Sequence, residues 1–338
     1  MDKLTIDGPK MPIGLMASLW KGIEYVNSHL GILVLPVLLD VFLWFGPRLS
    51  IMTISQPLFE WMASNAPADP QAQASIDVII AAVKDFNLFN LLSLIPLYPP
   101  SIMADITPTA NPLGTPMVFS IPGGMQFLLL TTGIVLFSMV FGSTYWMAAG
   151  WSLKIGAGSL REGLVRWIRT VAVVVFLCAA FLFTVIAVGV PLLLFLQEVP
   201  GISADIKAGI AQVIIILGGS LLFWLVLFVM FSVHGTILYG DGVRSAIWNS
   251  VNTSRWLYPV SVWIPILLIM LNLLLSMVWS LAPADNWTGA IGVLGNAYTG
   301  SVIVAASMVY YIDKRRWVGE VKQYLQSRMA GSMPPPAA

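Results

Sequence analysis

Long apolar runs alternate with short polar segments along this chain, and the alternation predicts its helices. A helix needs about 20 apolar residues to cross the hydrocarbon core of a bilayer. Runs of this kind predict an all-α polytopic membrane protein: one membrane domain over residues 1–338, with six transmembrane helices, interfacial amphipathic helices and an outer helical cap. The predicted spans are residues 30–45, 125–149, 170–196, 209–238, 259–281 and 290–312.

The composition agrees with a chain that lipid covers. Hydrophobic residues make up 58% of the sequence and charged residues 10%, whereas a soluble domain carries about 25% charged residues. In the six-span arrangement, 14 of the 17 Lys and Arg residues fall on one side of the membrane. Because positive charge is retained in the cytoplasm, we expect a multi-pass protein of the cell inner (plasma) membrane with both termini cytoplasmic.

Three short amphipathic segments precede the first, third and fifth predicted spans. Each has an apolar residue at every fourth position, which places these residues on one helix face. The shared stripe favours three copies of one unit, although any membrane protein built of helical hairpins also needs amphipathic inner connections. Ser159 followed by Glu162 is a capping box that starts the second segment. The stripes are Leu15, Leu19 and Ile23; Leu160, Leu164 and Ile168; and Val243, Ile247 and Val251.

Three segments lie outside the predicted spans and have separate characters. Residues 1–29 are expected to form a cytoplasmic amphipathic helix. Residues 46–124 are too apolar for an ordinary soluble domain and too interrupted by proline for another span. We therefore expect an outer interfacial cap of horizontal helices, with a lid over a substrate as the alternative. Residues 313–338 are expected to form a cytoplasmic basic tail.

The basic tail is predicted to lie along the membrane. An amphipathic helix with positive charge on its polar face is drawn to anionic headgroups. A tryptophan at the end of a span also marks the interface, because its ring is apolar and its N–H is polar. The residues expected to contact lipid in this way are Lys314, Arg315, Arg316, Trp317 and Lys322.

Asp40 is the best candidate for chemistry within the predicted spans. A carboxylate at the centre of a membrane helix costs about 2.5–3.5 kcal/mol on insertion scales, so it usually faces the protein interior. Asn272 and Asn296, in the last two spans, are candidate partners for an intramembrane polar site. A role in proton or ion movement competes with a hydrogen-bonded structural role, and with a position near the outer headgroups, because the first span is short.

Both histidines, His29 and His234, fall at the cytoplasmic ends of predicted spans. We expect interfacial side chains, and ligation of one haem-type macrocycle is the alternative if the two share a depth. The single cysteine, Cys178, lies in a wholly apolar run and is expected to be a small hydrophobic residue. The sequence has no cluster with metal-ligand spacing and no phosphate-binding glycine loop, so no metal or cofactor is expected.

Two segments near the C-terminus resemble a recurring bacterial pattern. The step Ile247-Trp248-Asn249-Ser250 lies on an amphipathic helix that leads through Thr253-Ser254-Arg255-Trp256 into a span, and residues 307–317 resemble a closing helix that exits into a basic turn. Both are similar to a group of six-helix bacterial membrane proteins that includes the membrane domain attached to some glycerophosphodiester phosphodiesterases. The resemblance implies a fold and proximity to lipid. It implies no reaction, because the phosphodiesterase activity of that family belongs to a separate soluble domain.

The sequence as a whole favours a non-enzymatic integral membrane protein, either a lipid-associated scaffold or an accessory subunit of a membrane complex. This interpretation follows from the lack of convergent polar groups in the predicted spans. The alternative is a transporter or permease-like subunit that uses Asp40, and an intramembrane enzyme is a third possibility. The expected partners are membrane lipids and other membrane proteins, with no nucleic acid.

Overall fold

The computed structural model describes residues 10–65, 70–93, 99–153, 158–201, 203–256 and 260–331. Within these residues the protein is all-α, with one pair of three-residue strands. The helices are α1 (Leu15–Ser28), α2 (Val34–Phe45), α3 (Met52–Asn65), α4 (Pro70–Asp85), α5 (Ile102–Ile106), α6 (Gly124–Gly150), α7 (Leu160–Thr184), α8 (Val190–Glu198), α9 (Ala204–Val229), α10 (Phe231–Tyr239), α11 (Val243–Trp256), α12 (Val260–Trp279) and α13 (Gly289–Gly331). Short 3₁₀ turns lie at Leu30–Leu33, Leu88–Ser93 and Trp151–Leu153, and a π-helical turn at Val185–Gly189.

The longest helices identify a membrane protein. In the described part of the chain, four helical segments are long and apolar enough to cross a bilayer: Gly124–Leu153, Leu160–Leu196, Ile206–Tyr239 and Gly289–Ser327. A fifth candidate is the pair Leu15–Ser28 and Leu30–Phe45, which is bent by 91° at its junction. The fold is therefore that of an all-α membrane protein with four or five candidate spans.

Four of the six predicted spans match long helical segments, and the other two match in part. The four long segments contain most of the second, third, fourth and sixth predicted spans. The predicted span 30–45 lies in the bent pair, where α1 ends at Ser28 and the backbone of His29 leaves the helical region with φ −138° and ψ 52°. The predicted span 259–281 overlaps α12, whose apolar part Trp263–Trp279 is shorter than the four long segments.

The amphipathic segments join their spans in different ways. α1 precedes the 91° bend, whereas α7 runs without a break from its amphipathic start at Leu160 into the third predicted span. The hydroxyl oxygen of Ser159 accepts the N–H of Glu162 and so caps this helix, as the sequence predicts. α11 ends at Trp256, and the next three residues lie outside the described part. The threefold repeat stays a prediction, because α1 and α7 do not share one arrangement.

The segment between α2 and α6 is a set of short elements rather than another span. α3 contacts α4, and strand β1 (Arg48–Ser50) runs parallel to β2 (Val118–Ser120), with Arg48 opposite Val118. The strand pair joins the beginning of this segment to its end. Apolar side chains of the segment form a core with α2, α6 and α13: Leu39, Leu43, Trp44, Leu88, Leu92, Ile102, Met103, Ile121, Ile134 and Val293.

The chain divides into two compact units, each with its own interior. The first contains the described residues of Met1–Lys21, Gly150–Leu268 and Ala306–Ala338, and the second contains those of Gly22–Ala149 and Ile269–Ala305. In the second unit, a Cβ atom at Gly295 would come within 2.4 Å of the Trp279 ring, so this glycine permits a close approach. A small residue at this position thus lets α13 approach α12 closely.

α13 is one helix of 43 residues, about 65 Å long at 1.5 Å per residue. The hydrocarbon core of a bilayer is about 30 Å thick. No proline interrupts the sequence from Gly289 to Gly331, so the helix continues from the last candidate span into the basic tail. The tail was expected to form a separate helix that turns onto the membrane, and the structure instead makes it a continuation of the span.

Candidate functional site

Asp40 lies in the second unit, where its carboxylate is fully buried. Oδ1 accepts the hydroxyl hydrogen of Ser101 at 2.6 Å and the N–H of Met103 at 2.9 Å. Oδ2 accepts the N–H of Ile102 at 3.3 Å. Three donors, two of them backbone groups, therefore surround one acid. Hydrogen bonds to a charged group are stronger than those between neutral groups, so this arrangement stabilises the fold.

The short helix α5 presents these donors because Ser101 is its N-cap. Ser101 has an extended backbone, with φ −136° and ψ 118°, and its side-chain oxygen accepts the N–H of Ala104. The first N–H groups of a helix have no partner within the helix. Asp40 takes two of these groups and also accepts from the capping hydroxyl. The interaction attaches the chain at residues 101–103 to α2.

The predicted polar site around Asp40 has different partners from those expected. Asn296 is buried and Asn272 is partly buried, both in the second unit. Among the described residues, the side-chain donors and backbone donors of Asp40 come from residues 101–103, and neither asparagine bonds to it. The side chain of Asp40 is enclosed by protein, and its depth relative to the headgroups stays a prediction.

Asp105 is a second hydrogen-bonded acid, on α5, that the sequence did not single out. Its Oδ2 accepts the hydroxyl hydrogen of Ser276 at 3.0 Å. Burial raises the pKa of Asp105 above its ordinary value, and the hydrogen bond from Ser276 opposes this shift. Asp105 follows Ser101 by four residues, one helical turn, but the five-residue helix that aligns them is too short to predict from periodicity.

Lys314 of α13 lies in the first unit and is fully buried. Its Nζ lies 4.9 Å from the centroid of the Phe231 ring and 5.6 Å from that of Tyr310. No hydrogen-bond acceptor contacts this Nζ in the described structure. The expectation that Lys314 contacts lipid at the surface is therefore wrong: aromatic side chains enclose it, because its position on α13 faces α10 rather than the exterior.

Two further hydrogen-bond donors, close to Lys314 in the sequence, are also buried without an acceptor in the described structure. The hydroxyl of Tyr310 and Nε1 of Trp317 are buried and have no hydrogen-bond partner in the described structure. Residues 310, 314 and 317 are spaced by four and three positions, so they share one face of α13. This face combines an ammonium group, a phenol and an indole N–H without an acceptor for any of them.

Three other basic residues of the tail, among those whose side chains the structure describes, have partners or are exposed. Arg315 donates to both carboxylate oxygens of Asp241, at 2.6 and 3.2 Å, and its guanidinium carbon lies 3.9 Å from the centroid of the Tyr239 ring. Arg316 is exposed and pairs with Asp313 and Glu320. Lys322 is exposed, with its Nζ 5.9 Å from the Trp256 ring centroid. Asp241 is thus the partner of Arg315.

The histidines differ in burial. His234 is fully enclosed in the first unit, and its Nε2 lies 3.0 Å from the hydroxyl of Ser307. Its side chain is therefore closed off from the exterior, and its depth at the interface stays a prediction. His29, in the second unit, is partly buried and stacks on Tyr25, with Nδ1 3.0 Å from the Tyr25 carbonyl oxygen. Each imidazole is thus held by neighbours in its own unit.

Neither a metal centre among the described residues nor a similar known protein assigns a further residue to the sites of Asp40 and Lys314. Among the described residues, no group of three or more His, Cys, Asp or Glu side chains is placed to hold a metal ion. No protein-family model, no curated protein and no solved structure matches this chain.

Proposed function

We propose that this protein is a non-enzymatic integral membrane protein, a lipid-associated scaffold or an accessory subunit of a membrane complex. The observation that carries the proposal is the uneven covering of its spans. In the most apolar stretch of Ile206–Tyr239, 6% of the residues are buried inside the protein, and in that of Leu160–Leu196, 12% are buried. The corresponding share for Gly289–Ser327 is 67%. Two spans thus leave nearly all of their apolar surface to an outside partner, either lipid or another membrane protein.

The proposed arrangement has six spans in the inner (plasma) membrane of the cell, with both termini in the cytoplasm. It is supported by the sorting of 14 of the 17 Lys and Arg residues to one side. In this arrangement residues 46–124 form the outer cap. The segments 241–256 and 307–317 resemble a group of six-helix bacterial membrane proteins, and the proposed number of spans is the number found in that group.

The test is purification in membrane discs cut directly from native membranes, without detergent exchange. Lipid analysis and protein identification then compare the discs with the bulk membrane. We expect a reproducible enrichment of one lipid class, or a membrane protein at fixed stoichiometry. Discs that hold lipid in the bulk proportions, and no other protein, would contradict the proposal.

A transporter or permease-like subunit is the second candidate, and the bent pair of helices favours it. Asp40 is a buried carboxylate within that pair, and broken helices hold ion sites in many transporters. The competing observation is that three donors of the same unit already occupy the carboxylate. Proton or solute flux into vesicles that carry the protein separates the two proposals: a flux that Asp40→Asn abolishes, with folding intact, would establish the transporter.

A further inference from the structure

The helix α11 directs its small residues into the protein. Within the first unit it packs against α7, α9 and α10. The hydroxyl of Ser250 donates to the carbonyl oxygen of Phe228 at 2.7 Å. The contacts of α11 with its own unit therefore rest on small side chains. Its buried residues are Ala246, Ser250, Thr253 and Ser254.

The opposite side of α11 is basic and aromatic. Arg244, Trp248 and Arg255 are spaced by four and seven positions, so they lie on one face of the helix, and all three are exposed. We call these three residues the α11 face. The Trp248 side chain is 69% exposed, although tryptophan is highly buried on average. Tryptophan and arginine are both enriched where proteins bind a partner.

The charge of the α11 face is not neutralised by its surroundings. α11 has no acidic residue, and in the ranges that the structure describes neither Arg244 nor Arg255 forms an ion pair. Asp241, the nearest acid in the sequence, accepts hydrogen bonds from Arg315 of α13. Lys322 of α13 lies near the last residue of α11 and adds positive charge there. The two exposed guanidinium groups therefore favour an anion from outside the chain.

Both ends of α11 are tied to apolar helices. Residues 240–242 alone separate it from the candidate span Ile206–Tyr239, and α12 begins at Val260, four residues after α11 ends. Gly240 has φ 71°, a left-handed conformation that glycine adopts without strain, and the chain turns there. Nη1 of Arg166 donates to two carbonyl oxygens in the last turn of the span, at 3.0 and 2.9 Å. α11 is thus fixed beside the end of a span, where the headgroup layer begins.

The chemistry of the α11 face matches that layer. An arginine guanidinium binds phosphate through two parallel hydrogen bonds, and tryptophan rings lie at the boundary between headgroups and acyl chains. We propose that the α11 face binds anionic lipid headgroups, with Arg244 and Arg255 on the phosphates and Trp248 inserted between the lipids. This inference rests on the proposed lipid association and names the surface that provides it.

A fluorophore beside the α11 face tests which lipids collect there. Asn252 is partly exposed and lies between Trp248 and Arg255 along α11. The label is attached at Asn252→Cys in a Cys178→Ala background, and the full-length protein is reconstituted into dioleoylphosphatidylcholine vesicles. Nitroxide-labelled phosphatidylglycerol, or nitroxide-labelled phosphatidylcholine at the same mole fraction, quenches the label from neighbouring positions. We expect phosphatidylglycerol to be enriched at the label about fivefold or more, the factor that one arginine near an anionic headgroup contributes.

Charge variants identify the residues that cause this enrichment. Arg244→Gln/Arg255→Gln should quench equally with the two lipids, and each single variant should lose part of the preference. Both arginines are exposed, so these variants should fold, and circular dichroism checks their helical content. Lys84→Gln removes an exposed lysine of α4 and should retain the wild-type preference. A rise in ionic strength should weaken the preference, because salt screens the attraction.

Three results would overturn the proposal. Equal quenching of wild type by the two lipids would leave Trp248 at the interface without selection of a headgroup. No quenching by either lipid would place the α11 face against water or a protein partner. A preference that survives in Arg244→Gln/Arg255→Gln would assign it to another part of the chain.

The α11 face and the proposed function fail separately. If native discs are enriched in one lipid class while the label shows no preference, this surface is wrong and the lipid association stands. If the label prefers phosphatidylglycerol while native discs hold lipid in the bulk proportions and no other protein, the surface stands and the proposed function is wrong.

Discussion

At the scale of single residues, Asp40 and Lys314 are both buried charged side chains but have opposite surroundings. Asp40 is enclosed by three donors of its own unit, whereas Lys314 has aromatic neighbours and no acceptor in the described structure. A buried charge that is hydrogen-bonded stabilises its fold, and one that is unpaired destabilises it. Substitutions at the two positions should therefore change stability in opposite directions.

Removal of the Asp40 carboxylate should destabilise the protein. Asp40→Asn retains an acceptor oxygen but loses the charge, and we expect a loss of about 1–3 kcal/mol in the free energy of unfolding. Asp40→Ala leaves the Ser101 hydroxyl and two N–H groups unpaired, so the loss should be larger, about 3 kcal/mol or more. Unfolding in mild detergent, followed by circular dichroism, measures both. The exposed Asp77 supplies the control: Asp77→Asn should change little, and equal stability of Asp40→Ala and wild type would contradict the anchoring role.

Asp105 should make stability depend on pH. Burial raises the pKa of its carboxyl above the ordinary value of 3.8, so the folded protein holds a proton that the unfolded chain has already lost at intermediate pH. Stability from this group is therefore greatest below pH 3.8 and decreases as the pH rises through the raised folded-state value. Asp105→Asn keeps an acceptor for Ser276 but does not titrate. Its melting temperature relative to wild type should increase as the pH rises, and a constant difference would contradict the shift.

At the scale of elements, glycines set how closely helices approach. A Cβ at Gly295 would lie 2.4 Å from the Trp279 ring, whereas one at Gly133 in α6 would meet nothing within 4 Å. Gly295→Ala should therefore destabilise the protein by about 1–3 kcal/mol through overpacking. Gly133→Ala is the matched control and should be neutral or stabilising, because alanine favours the helix. Thermal unfolding of the two variants compares them, and equal melting temperatures would contradict the tight contact.

The length of α13 predicts where its C-terminal end lies. A helix of 43 residues is about 65 Å long, and the hydrocarbon core is about 30 Å thick. We therefore expect Ser327 to be in water rather than against the bilayer. A spin label at Ser327→Cys, in a background with Cys178→Ala, should be more accessible to a water-soluble relaxation agent than to oxygen. The reverse preference would restore the original expectation that the tail lies along the membrane.

At the scale of the whole molecule, the sorting of charge predicts the orientation. With both termini cytoplasmic, α3 faces outward and α11 faces the cytoplasm. Ser64 and Ser245 are exposed residues of these two helices. In a Cys178→Ala background, Ser64→Cys should react with a membrane-impermeant maleimide on whole cells. Ser245→Cys should react only after permeabilisation, and labelling of Ser245→Cys on intact cells would reverse the orientation or change the number of spans.

The sequence by itself determined the properties that depend on local pattern. Hydropathy summed along the chain identified a membrane protein and most of its long helices, because burial in lipid depends on the residues of one segment. The cap at Ser159 was predictable for the same reason, since its partner Glu162 is three residues away. The bend after α1 was not, because no residue type near Ser28 enforces it.

Only the tertiary structure decided which groups meet across the chain. Asp40 bonds to Ser101, 61 residues away, and Lys314 lies against Phe231; neither contact leaves a periodic signal. The same lysine looks like a surface charge in the sequence, because Arg315, Arg316 and Lys322 surround it there. Its burial follows from the rotation of α13 about its axis, which packing against α10 determines and which a hydropathy pattern cannot specify.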